Sequence, residues 1–259
     1  MPGWDWGAFH RYLSNRFLLE GVWTTIWLSV VCMAIGLVLG FVAALMNMSR
    51  IPLLKGIAQF YIWLIRGTPL LVQLIIIYTG LPQVGIRLNV LQSALLGLSV
   101  NEGAYLSEII RAGILSVHRG QFDAARALGM TYPTMMRVII MPQAARVIIP
   151  PLGNNFNGLL KTTSITSVIS MEELLRRSQM LIQFEFRVLE IFAVAALYYL
   201  ALTTLWGLVQ RRLEAHFGKS MVALAPRDAA PQEARAGGTR TVALQDKTAR
   251  GALYEQDLR

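Results

Sequence analysis

From Gly21 to Ser49 the chain runs for 29 residues without a charged side chain. About 20 helical residues cross the hydrocarbon of a bilayer, so this stretch alone is long enough to span one. Gly67–Ile86 and Ile191–Gln210 are two further uncharged runs of 20 residues each. Composition agrees: 54% of residues are hydrophobic and 15% charged, whereas an average soluble domain is about a quarter charged. A soluble all-helical core accounts poorly for these runs, because soluble helices average about 11–12 residues and carry a polar face. The lone cysteine, Cys32, lies inside the first run, can form no intrachain disulfide, and reads as a packing residue. The first apolar run begins only after some 20 residues and is too long for the core of a cleavable signal.

The spacing of charges predicts an all-α integral membrane protein with about five crossings. Residues 1–20 are amphipathic and aromatic, with Trp4, Trp6, Phe9, Tyr12 and Phe17, and suit the membrane interface. The expected spans are Val22–Met46, Ile57–Leu81, Val90–Ile110, Val147–Met171 and Leu189–Val209. The first holds Gly36 and Gly40, a GxxxG pair that permits close approach of another helix. The second is interrupted at Arg66-Gly67-Thr68-Pro69 and the fourth by Pro150-Pro151. Basic residues concentrate in 47–56, in 111–146 and from Arg211 onward. With an odd number of crossings these fall on one side, which the positive-inside rule makes cytoplasmic, leaving the N-terminus outside. The formal net charge of +9 is thereby explained without nucleic acid. The membrane domain is expected over 21–215, and 216–259, which lacks an apolar period, as a disordered cytoplasmic tail.

Within the most basic loop, 115–146, the residues 121–129 read as a short helix stopped by Gly129 in a left-handed cap. Thr131 is placed to cap a second helix, with Pro133 in its first turn, and that helix is expected to end before Pro142. The small residues Ala124, Ala125 and Ala127 allow the pair to sit close against another surface.

This loop resembles the signature of ABC importer permeases: Glu-Ala-Ala, Gly after three residues, Ile after nine more, then Leu-Pro after one. The chain has Asp123-Ala124-Ala125, Gly129, Ile139 and Met141-Pro142 at the same spacings, with Asp for Glu and Met for Leu. Arg66-Gly67-Thr68-Pro69 through Gln73, Asn101-Glu102-Gly103-Ala104-Tyr105 through Gly113, and Pro151 through Ser164 resemble the polar amino acid branch, the histidine/glutamine/arginine type. The resemblance covers roughly 20–215 and implies the type I importer permease fold. It also implies a second permease subunit, as homo- or heterodimer, two ATPase subunits that bind ATP and magnesium, and an external solute-binding protein. Asp123, Ala124, Ala125, Gly129, Ile139, Met141 and Pro142 would then couple the membrane domain to the ATPase in a bacterial inner membrane.

Ionisable groups at membrane depth usually face the protein interior or a wet cavity. Arg66 lies about nine residues into its span, some 14 Å at 1.5 Å per residue; with Thr68 it either lines a solute path or ties to a neighbouring helix's carbonyls. Asn101, Glu102 and Tyr105 share a face of the third span, where Glu102 either meets a cationic group of a solute or marks the outer boundary. Asn155, Lys161 and Thr162 of the fourth span complete the candidate path, with Lys161 expected to lie deep. Glu108 and Arg111, three apart, are expected to pair as a structural element.

No catalytic residues are expected. Gly218-Lys219-Ser220 supplies only the end of a phosphate loop, with Leu213 where its first glycine would stand. The three histidines, His10, His118 and His216, are isolated, which leaves no metal site. A stand-alone channel or secondary transporter is the remaining alternative, and it would have no need of a docking helix pair.

Overall fold

The structure is a computed structural model that describes residues 4–222. Ten α-helices and their irregular continuations account for most of that length. The short α1, Trp6–Leu13, starts where the Asp5 carboxylate accepts the Ala8 N–H at 3.0 Å. The long α2, Arg16–Asn47, is capped by the Asn15 side chain, which accepts from Phe17 and Leu18; its 32 residues extend about 48 Å. Next come α3, Pro52–Arg66, with proline in its first turn, and α4, Leu70–Ile75, continued by a π-turn, Ile76–Gly80, and a 3-10 turn, Leu81–Val84. The α5 helix, Val90–Leu115, begins with a reciprocal capping box between Asn89 and Gln92. Two short helices follow, α6 at Arg119–Ala127 and α7 at Tyr132–Met135. A π-turn, Met136–Ile140, leads into α8, Met141–Thr162, which closes in a 3-10 stretch, Thr163–Ile169. The last two are α9, Leu174–Glu185, and α10, Val188–Val222.

Three segments are long and apolar enough to cross a membrane: Arg16–Asn47, Tyr132–Ile169 and Val188–Ala215. The pair Pro52–Arg66 and Leu70–Val84, bent by 101° at its break, makes a fourth if counted as one span. The α5 helix has the length, 26 residues, but not the composition. It is the hub of the bundle, packed by α2, α3, α4 and α8, and it buries Ser93, Ser99, Asn101, Glu102 and Ser107 among its neighbours. A helix sheathed by protein needs no apolar face toward lipid. The outward faces of α2 and α10 do have one, exposing Val38, Val42, Leu200 and Leu208; so large an exposed apolar surface suits lipid and not water.

The GxxxG pair marks the seam between α2 and α5. A Cβ added at Gly36 would lie 2.8 Å from the Glu102 Cβ, and one at Gly40 would lie 2.8 Å from the Leu106 Cβ. Gly103 answers from α5, where an added Cβ would stand 2.8 Å from the Leu39 Cβ. Cys32 is buried in the core of this region with Leu28, Leu74 and Leu98.

Several boundaries differ from the sequence expectation. The second helix of the loop does not end before Pro142: α7, the π-turn and α8 run on as one helical segment. The residue whose carbonyl Pro142 would crowd, Val138, lies in the π-turn, and the widened turn relieves that clash. Pro150 and Pro151 lie inside α8 without breaking it. Thr131 caps α7 without a side-chain bond to its backbone; its hydroxyl pairs instead with that of Thr134 at 2.8 Å. Residues 16–20 belong to α2, not to a separate interfacial segment. The tail expected from 216 is helical to Val222, and its remainder, 223–259, lies outside the described residues.

The N-terminal segment docks on the α9–α10 junction. The Asp5 N–H donates to Glu190 at 3.1 Å and Arg187 pairs with Asp5 at 3.3 Å. The Tyr12 hydroxyl donates to Glu185 at 3.0 Å and the Tyr198 hydroxyl to the Leu13 carbonyl at 2.6 Å. Tyr12 is buried, while Trp6 stays exposed.

Candidate functional site

The site is built around the break between α3 and α4. Arg66 closes α3, the Gly67 N–H returns to the Trp63 carbonyl at 2.9 Å, and Pro69 adopts extended backbone before α4. A break of this kind leaves carbonyls without helical partners, and inside a membrane those must find donors. Gln73 supplies them: its Nε2 lies 2.8 Å from the Ile65 carbonyl, 3.1 Å from the Thr68 carbonyl and 2.8 Å from the Thr68 hydroxyl. That hydroxyl itself donates to the Leu64 carbonyl at 2.8 Å. On its other side Gln73 Oε1 accepts from Asn101 Nδ2 at 3.2 Å, so the break is tied to α5. Gln73 was not among the residues expected from sequence. The available signal was an amide inside an uncharged run, four residues past the proline that interrupts it.

A cavity of about 530 Å³ opens at the break. Of the eight residues expected along a solute path, it brings together seven: Arg66 and Thr68 from the break, Asn101, Glu102 and Tyr105 from α5, and Asn155 and Thr162 from α8. Lys161 is the exception. It is exposed and does not line the cavity, because the helical step from Thr162 turns it about 100° away. Glu102 is buried and accepts a hydrogen bond from Asn155 Nδ2. The Arg66 guanidinium sits 5.3 Å from the centre of the Tyr105 ring, within cation–π range. The wall therefore carries a guanidinium on the break and a carboxylate on α5.

Glu108 and Arg111 pair as expected, Nη2 to Oε2 at 3.1 Å and Nε to Oε1 at 3.3 Å. Arg66 joins them, its Nη1 4.0 Å from Glu108 Oε2.

The loop 115–146 is helical through most of its length, and its turn is at Gly129, whose φ of +67° is the left-handed conformation expected there. Asp123 is exposed and pairs with Arg126 at 3.3 Å. The alanines do not form one outward face: Ala124 is exposed, but Ala125 is turned inward against Ile114, Val117, Met135 and Ile140. Its small side chain lets α6 lie flat on the bundle. Ile139 and Met141 pack against the same core, and Pro142 is exposed. The outward surface instead presents Leu128 and Tyr132, 78% and 57% exposed, which sequence reasoning had not singled out.

The arginine transport system permease protein ArgU of Corynebacterium glutamicum is 38% identical over 84% of this chain and 72% of its own length. The glutamine transport system permease protein GlnP of Escherichia coli is 37% identical over 81% of this chain and 96% of its own. A solved amino acid ABC transporter with histidines is 38% identical, with a TM-score of 0.77, covering 83% of this chain and 100% of that one. The MetNI methionine ABC transporter, at 18% identity and a TM-score of 0.67 over 78% of this chain and 96% of its own, shares the fold. Residues 36–219, which take in the break, the cavity and the helical loop, match a single family, and the chain belongs to it: it is a binding-protein-dependent transport system inner membrane component.

Proposed function

We propose that the chain moves a polar amino acid across the inner membrane, together with a second permease subunit and two ATPase subunits that bind ATP and magnesium. An external binding protein delivers the solute. The observation that carries the amino acid reading is the cavity at the helix break, with Arg66 and Glu102 on its wall. An amino acid is a zwitterion; a guanidinium suits its carboxylate and a carboxylate suits its ammonium. Asn101, Tyr105, Asn155 and Thr162 add neutral hydrogen-bonding groups to the same wall. Relatives named for arginine, glutamine and cystine transport support the same class.

In this reading the loop around Gly129 faces the cytoplasm and seats in the ATPase, with Leu128 and Tyr132 as apolar anchors beside Asp123 and Ala124. The N-terminus lies outside and the C-terminus inside. Closure of the ATPases on ATP shifts the loop, and the membrane domain switches between two bistable arrangements.

The test is reconstitution of the complete transporter with its binding protein in proteoliposomes. Uptake of labelled L-arginine, L-glutamine, L-histidine or L-cystine should require ATP, and Glu102→Gln should reduce it at least tenfold, about 1.4 kcal/mol for a charge-assisted contact. Uptake that persists with a hydrolysis-deficient ATPase would overturn this reading in favour of a stand-alone transporter.

A further inference from the structure

A second cavity, of about 630 Å³, lies beside the first toward the end of the bundle that carries the helical loop. Its wall consists of the end of α2 and the turn after it, Asn47 to Ser49, one face of α3, and Glu108, Arg111 and Leu115 near the end of α5. The α3 face is polar at both ends: Lys55, Gln59, Ile62, Trp63 and Arg66 recur at helical spacing. Arg66 lines both cavities. With Tyr105 on the first cavity's wall and Glu108 on the second's, it forms the septum between them: the guanidinium lies over the Tyr105 ring and 4.0 Å from Glu108.

The second cavity has three cations, Lys55, Arg66 and Arg111, against one anion, Glu108. Both arginines are already directed at that single carboxylate, and Lys55 has no ion-pair partner among the described residues. The chamber therefore holds a positive excess, three cations against one carboxylate, and an oxyanion would complement it.

We propose that this second cavity is an anion-binding station on the loop side of the septum, taking the carboxylate of the solute after it leaves the first cavity. Arg66 is the shared group: reoriented from Tyr105 toward the second chamber, it carries the carboxylate contact with it. A headgroup phosphate of an anionic lipid has the same chemistry, and contiguity with the first cavity through Arg66 favours the solute. The inference rests on the import reading above.

The experiment uses the complete transporter in proteoliposomes with the ATPase face outward and the binding protein and solute in the lumen. Stimulation of ATP hydrolysis by lumenal solute tests the import reading by itself. L-arginine, L-glutamine and L-histidine, and the α-carboxamide of each, are then titrated into the bath. The station predicts that the transported amino acid inhibits hydrolysis saturably from this side while its carboxamide does not. Lys55→Gln, at an exposed position, should raise the half-inhibitory concentration up to about fivefold, as expected for loss of one exposed charge contact. Stimulation without inhibition from the bath, or equal inhibition by amino acid and carboxamide, overturns the station while leaving import intact. Vesicles of phosphatidylcholine with and without phosphatidylglycerol separate the sources: a Lys55-dependent response to phosphatidylglycerol with none to amino acid assigns the site to lipid and overturns the route through Arg66.

Discussion

Replacing Gly40 by alanine tests the seam on which the bundle is assembled. The added Cβ would lie 2.8 Å from the Leu106 Cβ, 2.9 Å from the Gly103 carbonyl oxygen and 3.0 Å from the Ser107 nitrogen. Carbon atoms rest about 3.5–4.0 Å apart, so α2 and α5 have to separate by roughly 1 Å. None of the three obstructing atoms sits at the end of a flexible side chain, so no rotamer change relieves the clash. Overpacking of this kind costs about 1–3 kcal/mol, while alanine gains up to about 1 kcal/mol over glycine in helix propensity. Gly207, within α10, has nothing within 4 Å of an added Cβ, so Gly207→Ala reports the propensity gain alone. The difference between the two variants isolates the steric cost. At about 2–4 °C per kcal/mol for a chain of this size, Gly40→Ala should unfold roughly 2–12 °C below Gly207→Ala when purified protein is heated in detergent. Coincident Tm values would refute the close α2–α5 contact.

Three further outcomes follow from the geometry. Gln73→Leu removes the donor to the Ile65 and Thr68 carbonyls and the acceptor for Asn101; Tm should fall by an amount equivalent to about 1–3 kcal/mol, and Gln73→Glu, which has no N–H to donate, should not restore it. Gly129→Ala meets no atom within 4 Å but must hold a φ of +67°, so it should cost about 1–2 kcal/mol and speed amide exchange across 119–135, with Gly129→Asn milder in the same assay. Asp5 is held below the usual carboxylate range first by the Ala8 N–H and then by Arg187. A lowered folded-state value means its contribution is present above the unfolded value of about 3.9 and is lost as pH falls through the folded value; amide protection of residues 6–13, taken relative to the intrinsic exchange rate at each pH, should hold at pH 5–7 and fall below about pH 4, with Asp5→Asn removing that step.

The legible parts of this fold were those written in local chemistry. Uncharged length announced α2 and α10, an arginine and a proline within four residues announced the break, and a glycine after an alanine-rich helix announced the left-handed turn. Seven of the eight residues expected along a solute path line one cavity, and they came from two faces and a break, each with a period readable on one helix. What escaped depended on partners distant in sequence. The α5 helix looks weakly apolar because its polar residues are shielded by four neighbours, which no window on its own residues reveals. Gln73 matters because Asn101 and two orphaned carbonyls lie within its reach. Lys161 was placed by depth along the chain, while rotation about the helix decided its direction. Pro142 was taken as a stop, since a wider turn upstream that tolerates it has no local signal.

That uninterrupted passage through Pro142 has a mechanical consequence. The exposed Tyr132 and the cavity residue Asn155 are ends of one shaft, 23 residues and so about 35 Å apart along the helix. Its π-turn, Met136–Ile140, lies near the loop end, and from Met141 to Asn155 the α-helix continues without a break. Pivoting by about 5° near one end, it sweeps the other through roughly 3 Å by the same geometry, close to the diameter of a water molecule. Under the coupling proposed above, helix length sets the ratio of travel at the loop to travel at the cavity. In a bistable membrane domain, a stroke at the loop too short to carry the cavity wall into its other packing would let it fall back to where it began.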